Sequence, residues 1–144
     1  MIPQLLTDLS NRMGLALVIG EQTSGIDFEV DGKYRIALDA NPDAASLVLD
    51  CALSGQRISE GEALNLLRYN LAGIRRDGIL LACDSKDGTL HLVKRLDLTP
   101  ASDAEGVAKA LESLLDAADR WSTRLENESD GLSSGLISEM SRFA

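Results

Sequence analysis

Apolar residues recur along this chain with two different periods, and the alternation between them predicts the elements. Over residues 2–13, Ile2, Leu5, Leu6, Leu9 and Met13 fall three and four apart, the stripe of a helix. Pro3 suits its first turn and Gly14 its end. Residues 15–19, Leu-Ala-Leu-Val-Ile, are a short apolar run and a candidate strand. From residue 26 the period becomes two. A loop of Asp31, Gly32 and Lys33 pairs Val30 with Tyr34, Phe28 with Ile36 and Ile26 with Leu38, all on one face. A two-residue Asp31-Gly32 loop would place Lys33 and Arg35 beside Phe28 and Val30, a slip the pleat makes costly. The longer loop carries one conflict, since it prefers glycine at its last position, where Lys33 stands.

Residues 45–54 predict a third strand, with Leu47, Leu49, Cys51 and Leu53 on one face, Val48, Asp50 and Ala52 on the other, and Gly55 as its end. Ser59 and Glu62 form a capping box for a helix running to Ala72, with Gly73 as its C-terminal stop. Leu64, Leu67 and Leu71 lie on one side of that helix, with Ala63, Leu66 and Asn70 beside them. Its apolar surface is therefore broader than one seam and suits contact with both a core and a partner. Residues 79–84 and 89–98 make a second hairpin around Ser85–Gly88, aligning Cys83 with Leu90 and Leu81 with Leu92. The reverse face mixes Leu80, Ala82 and Val93 with His91 and Arg95. A second capping box, Ser102 with Glu105, starts a long helix over 103–126 marked by Val107, Leu111, Leu114, Leu115, Ala118, Trp121 and Leu125. Residues 127–144, serine-rich with scattered apolar positions, read as a flexible tail after a globular domain of residues 1–126. The fold class is α+β: an antiparallel twisted sheet packed by helices.

Composition narrows the function. The chain has 144 residues, suited to one domain. Its 14 Lys and Arg against 23 Asp and Glu leave a net charge of −9. That opposes binding to phosphate backbones or anionic membrane surfaces and suits a basic or amphipathic polypeptide partner. Asp8 and Arg12 interrupt the first apolar stretch, unlike a signal peptide, and no apolar run is long enough to cross a membrane; a cytoplasmic protein is expected.

Chemistry is sparse. His91 is the sole histidine, set mid-strand near Lys94 and Arg95. Cys51 and Cys83 sit in apolar runs, as small buried hydrophobes do, and no Cys-x-x-Cys suggests zinc. Asp27, Glu29 and Asp39 flank strand residues without the setting of an acid–base pair. Asp84-x-Lys86-Asp87-Gly88 lacks the downstream glutamate of a calcium loop. No catalytic residue, metal or cofactor is expected. What remains is apolar sheet and helix surface that can bind another chain, by strand addition at an edge with pockets for alternate side chains.

The order helix, three strands, helix, two strands, long helix over residues 3–126 resembles the class I type III secretion chaperones, a Tir-chaperone-like family. Leu5-Leu6-Thr7-Asp8-Leu9 through Gly14-Leu15 carries part of the likeness. Ala63 to Leu71, similar to the family's Leu-Leu-x-x-Asn stretch, carries another, and the hairpin from Gly78-Ile79-Leu80-Leu81-Ala82-Cys83-Asp84 to Leu90-His91-Leu92 with the helix ending near Trp121 completes it. The resemblance implies a homodimer with its interface on Leu64, Leu67, Leu71, Ile79 and Leu81. It implies a bacterial protein that grips the extended N-terminal region of a secreted effector. Leu5, Leu9, Phe28, Val30, Ile36 and Leu49 would do the gripping, with Leu38 and Leu47 as additions. A regulatory adaptor that binds a transcriptional regulator on the same fold is the alternative.

Overall fold

A computed structural model describes residues 2–20, 22–57 and 60–130, with side chains at 54–57 and 126–130 left aside. The elements run α1 (Ile2–Met13), β1 (Gly25–Val30), β2 (Tyr34–Asn41), β3 (Ser46–Arg57), α2 (Glu60–Arg76), β4 (Ile79–Cys83), β5 (Thr89–Asp97) and α3 (Ala104–Asp130). The strands form one antiparallel sheet in the order β1-β2-β3-β5-β4.

Both hairpins have the register that their apolar patterns predict. Ile26, Phe28 and Val30 oppose Leu38, Ile36 and Tyr34. Leu81 and Cys83 oppose Leu92 and Leu90. The first loop also settles the conflict at Lys33. Lys33 N–H donates to Val30 O at 3.0 Å, and the left-handed positions fall on Asp31 (φ 55°) and Gly32 (φ 61°). Aspartate and glycine tolerate that region, so Lys33 need not adopt it.

Four boundaries differ from expectation. Residues 15–20 join no strand ladder; the candidate strand is an extended segment whose Leu15, Leu17 and Ile19 pack partly on the core while Val18 stands out at 97% exposure. Strand β3 passes Gly55 and reaches Arg57 across an irregularity after Leu53. Helix α2 passes Gly73, which is buried within it, and runs to Arg76; the left-handed residue beyond it is Gly78 (φ 74°), whose N–H donates to Gly73 O at 2.9 Å. Finally, α3 is capped by Asp103, not Ser102. Asp103 Oδ1 accepts from Gly106 N–H at 2.9 Å, and Ser102 Oγ instead accepts from Thr99 N–H at 2.8 Å. An aspartate caps a helix as well as a serine does. Ser59 and residues 131–144 lie outside the described residues, and with them the first capping box and most of the expected tail.

The core lies on one face of the sheet. Ile36, Leu38, Leu47, Leu49, Leu53, Leu90 and Leu92 meet Leu6 and Leu9 of α1 and Leu111 and Leu114 of α3, all essentially without exposure. Helix α1 packs on α3, α3 crosses β3 and β5, and α2 lies against β4. A polar tie fixes α3 to the start of β2: the Tyr34 hydroxyl donates to Asp119 Oδ1 at 2.6 Å.

Candidate functional site: a helix stripe and two sheet edges

Helix α2 presents two apolar aspects for different purposes. Leu66 and Gly73 face the body of the protein and are buried. Leu64, Leu67, Leu71 and Ile74, at spacings of three and four, form an outward stripe exposed by 60–64%. Four large apolar side chains in a row at that exposure form a surface suited to a partner. The stripe adjoins a cavity of about 140 Å³ between α2 and the second hairpin, lined by Leu66, Leu67, Leu81, Cys83 and Leu90.

The structure divides the residues singled out as an interface. Leu64, Leu67 and Leu71 are open. Ile79 and Leu81 are buried beneath their own α2, although Leu81 and Leu67 share the cavity wall. Ile74 joins the stripe because α2 runs past Gly73; its spacing of three from Leu71 is the sequence signal for it.

The residues singled out for gripping a client lie inside the isolated chain, apart from Val30. Leu5, Leu9, Phe28, Ile36, Leu38, Leu47 and Leu49 are all interior, none exposed beyond 8%. They belong to the core between the sheet and helices α1 and α3. Val30, at the end of the edge strand β1, is partly exposed. Periodicity shows which side chains share a face and is silent on what covers that face. The apolar side chains left open nearby are Val30 and, in the extended segment before β1, Val18.

The two edges differ. Strand β1 has β2 on one side, and among the described residues no backbone hydrogen bond joins any other segment to its outer side. Strand β4 has β5 on one side and α2 against it on the other.

The titratable groups are structural. His91 Nδ1 lies 2.7 Å from Asp50 Oδ1 on the sheet face away from the core. Cys51 lies on the opposite face, fully buried. Burial, aided by the negative charges of Asp50 and Asp119, pushes its thiol up to about 12, far from a nucleophilic thiolate. Cys83 is exposed and free. Among the described residues no group of His, Cys, Asp and Glu is arranged to hold a metal ion, and no helix is long and apolar enough to cross a membrane. A second cavity, about 210 Å³, opens between α2 and α3. There Tyr69 meets Trp121 edge-on at 5.1 Å, and the Arg124 guanidinium sits 5.1 and 5.5 Å from the two ring centres. That stack pins α3 to α2 by cation–π attraction and ring packing.

The model of the Tir chaperone protein (CesT) family matches residues 4–122. Among solved structures, the chain is similar to one in the ExsC–ExsE complex, at 22% identity and a TM-score of 0.74, covering 86% of this chain and 92% of that one. It is similar to one in the HopA1–SchA chaperone–effector complex, at 18% identity and a TM-score of 0.69, covering 83% and 91%. It is also similar to the Yersinia pestis type III secretion chaperone SycH complex with a stable fragment of YscM2, at 23% identity and a TM-score of 0.62, covering 83% and 98%. At these identities the likenesses establish a shared fold. No protein of curated function matches.

Proposed function

We propose, because the chain belongs to the Tir chaperone protein (CesT) family, that it is a chaperone of type III secretion acting in the bacterial cytoplasm. It binds the N-terminal region of a secreted effector in extended form and keeps it soluble for export. The observation that carries this reading is the open β1 edge on a protein with no catalytic constellation among its described residues. An extended client gains main-chain hydrogen bonds there without needing a particular sequence, and Val30 with the half-buried Leu17 and Ile19 supplies apolar selectivity nearby along the chain. The acidic body, at −9, favours basic client segments and keeps the complex soluble.

The reading includes a homodimer through α2. The stripe of Leu64, Leu67, Leu71 and Ile74 is too exposed to serve the protomer and maps onto the helix by which the family is expected to dimerise. The experiment is co-expression with N-terminal fragments of secreted proteins encoded beside this chain. Co-elution of one fragment as a soluble complex, protease-sensitive because its client is extended, is the expected outcome. Capture of a transcriptional regulator in its place would favour the adaptor reading, and capture of neither would overturn the assignment.

A further inference from the structure

We infer that Asn70 is a strand mimic that closes the β4 edge of the sheet. An open sheet exposes a row of backbone N–H and C=O groups at each end, available to any chain able to pair. At the centre of β4 the outward groups are already taken. Asn70 Nδ2 donates to Leu81 O at 2.8 Å, and Leu81 N–H donates to Asn70 Oδ1 at 2.7 Å. One orientation of the amide makes both bonds. Together they reproduce the pair of bonds that a residue of an antiparallel neighbour would exchange with Leu81.

The closure extends to Ile79, which points to the same side as Leu81 because alternate residues of a strand share a side. Ile79 N–H donates to Asp77 Oδ1 at 3.0 Å. Its carbonyl faces the α2 backbone so closely that a Cβ added at Gly73 would stand 2.5 Å away. Asn70 and Gly73 are three apart on one side of α2, and Asp77 follows in the turn just after it, so the helix and its exit meet one strand edge. The helix thus does at β4 what a sixth strand would do. Cys83, at the far end of β4, carries no such cover from these residues.

The consequence is a choice of edge. A client held as a strand has β1 open to it and β4 closed; that step rests on the chaperone reading, whereas the closure of β4 does not.

The test uses the full chain and no client. Asn70→Leu keeps similar bulk and removes both bonds. Amide hydrogen exchange should speed up about tenfold at Leu81, the loss of roughly one hydrogen bond's net stabilisation, while Leu90 and Leu92 keep their protection. The freed edge should then pair with another copy, so sedimentation velocity should show concentration-dependent species heavier than the unsubstituted protein. Asn70→Asp keeps the acceptor for Leu81 N–H and sets a carboxylate against Leu81 O, so its Leu81 exchange should fall between the two; it decides the matter should Asn70→Leu fail to fold. Exchange unchanged at Leu81, or raised equally at Leu81, Leu90 and Leu92, would overturn the proposal. So would a local change with unaltered sedimentation, since Asn70 would then fasten the helix without guarding the edge. Failure to capture an effector would leave these readouts untouched and would count against the chaperone reading alone.

Discussion

Tyr34 and Cys51 each make stability depend on pH at the alkaline end, and both act in one direction. Burial first, and then the hydrogen bond to Asp119, hold the Tyr34 hydroxyl above its ordinary value of 10.0; burial holds the Cys51 thiol up at about 12 against 9.0. In each case the unfolded chain ionises first as pH rises. The stability that these two groups contribute is therefore complete below pH 9 and is lost progressively between 9 and 12 as the unfolded state sheds protons. Cys51→Ala should flatten the part of that decline that starts near pH 9, measured by urea midpoints across the range; an unchanged profile would mean the thiol does not titrate as argued. Tyr34→Phe should cost about 1 kcal/mol at neutral pH, a few degrees in melting temperature, by removing the bond to Asp119. At this scale the sequence was partly legible. Period two placed Tyr34 and Cys51 on the core face, but the partner of the Tyr34 hydroxyl lies 85 residues away and leaves no local signal.

At the scale of elements, registers could be read and coverings could not. The pairings of both hairpins follow from apolar positions alone, because a slip by one residue would turn every side chain over. Gly73 shows the opposite case. Glycine at the end of a periodic run signals a helix cap, and the same glycine mid-helix signals a close approach; only the position of Ile79 O separates the two. This has a measurable consequence. Glycine to alanine inside a helix ordinarily gains about 1 kcal/mol of propensity. Here the new Cβ would stand 2.5 Å from a backbone carbonyl, forcing α2 away from β4. Gly73→Ala should therefore lower the melting temperature, by about 1–3 kcal/mol of overpacking; a rise would show that the helix shifts without cost. What covers the sheet face was not legible for a related reason. Phe28, Ile36 and Leu49 do share one face of the sheet, but α1 and α3 lie over it, and no pattern within the strands records that.

For the whole molecule, the deciding quantity is the apolar surface that one protomer leaves uncovered. Leu64, Leu67, Leu71 and Ile74 stand about three-fifths exposed in a line on α2, while comparable residues on α1 and α3 are interior. Apolar stabilisation follows the area removed from water, roughly 25 cal/mol per Å². These side chains contribute little to the single chain and would contribute much to an interface if a second copy covered them. Leu67 adjoins both the stripe and the cavity beneath it, so a charge there would have to be desolvated when two copies meet. Leu67→Asp should halve the mass seen by light scattering at micromolar concentration without loss of helical circular dichroism. Because a dimer is stabilised by mass action, the melting temperature of the unsubstituted chain should rise with protein concentration, and that of Leu67→Asp should not. An unchanged mass would move the interface off α2. A monomeric unsubstituted chain would leave the stripe for a client, and the dimer would have to be abandoned while the open β1 edge still stood.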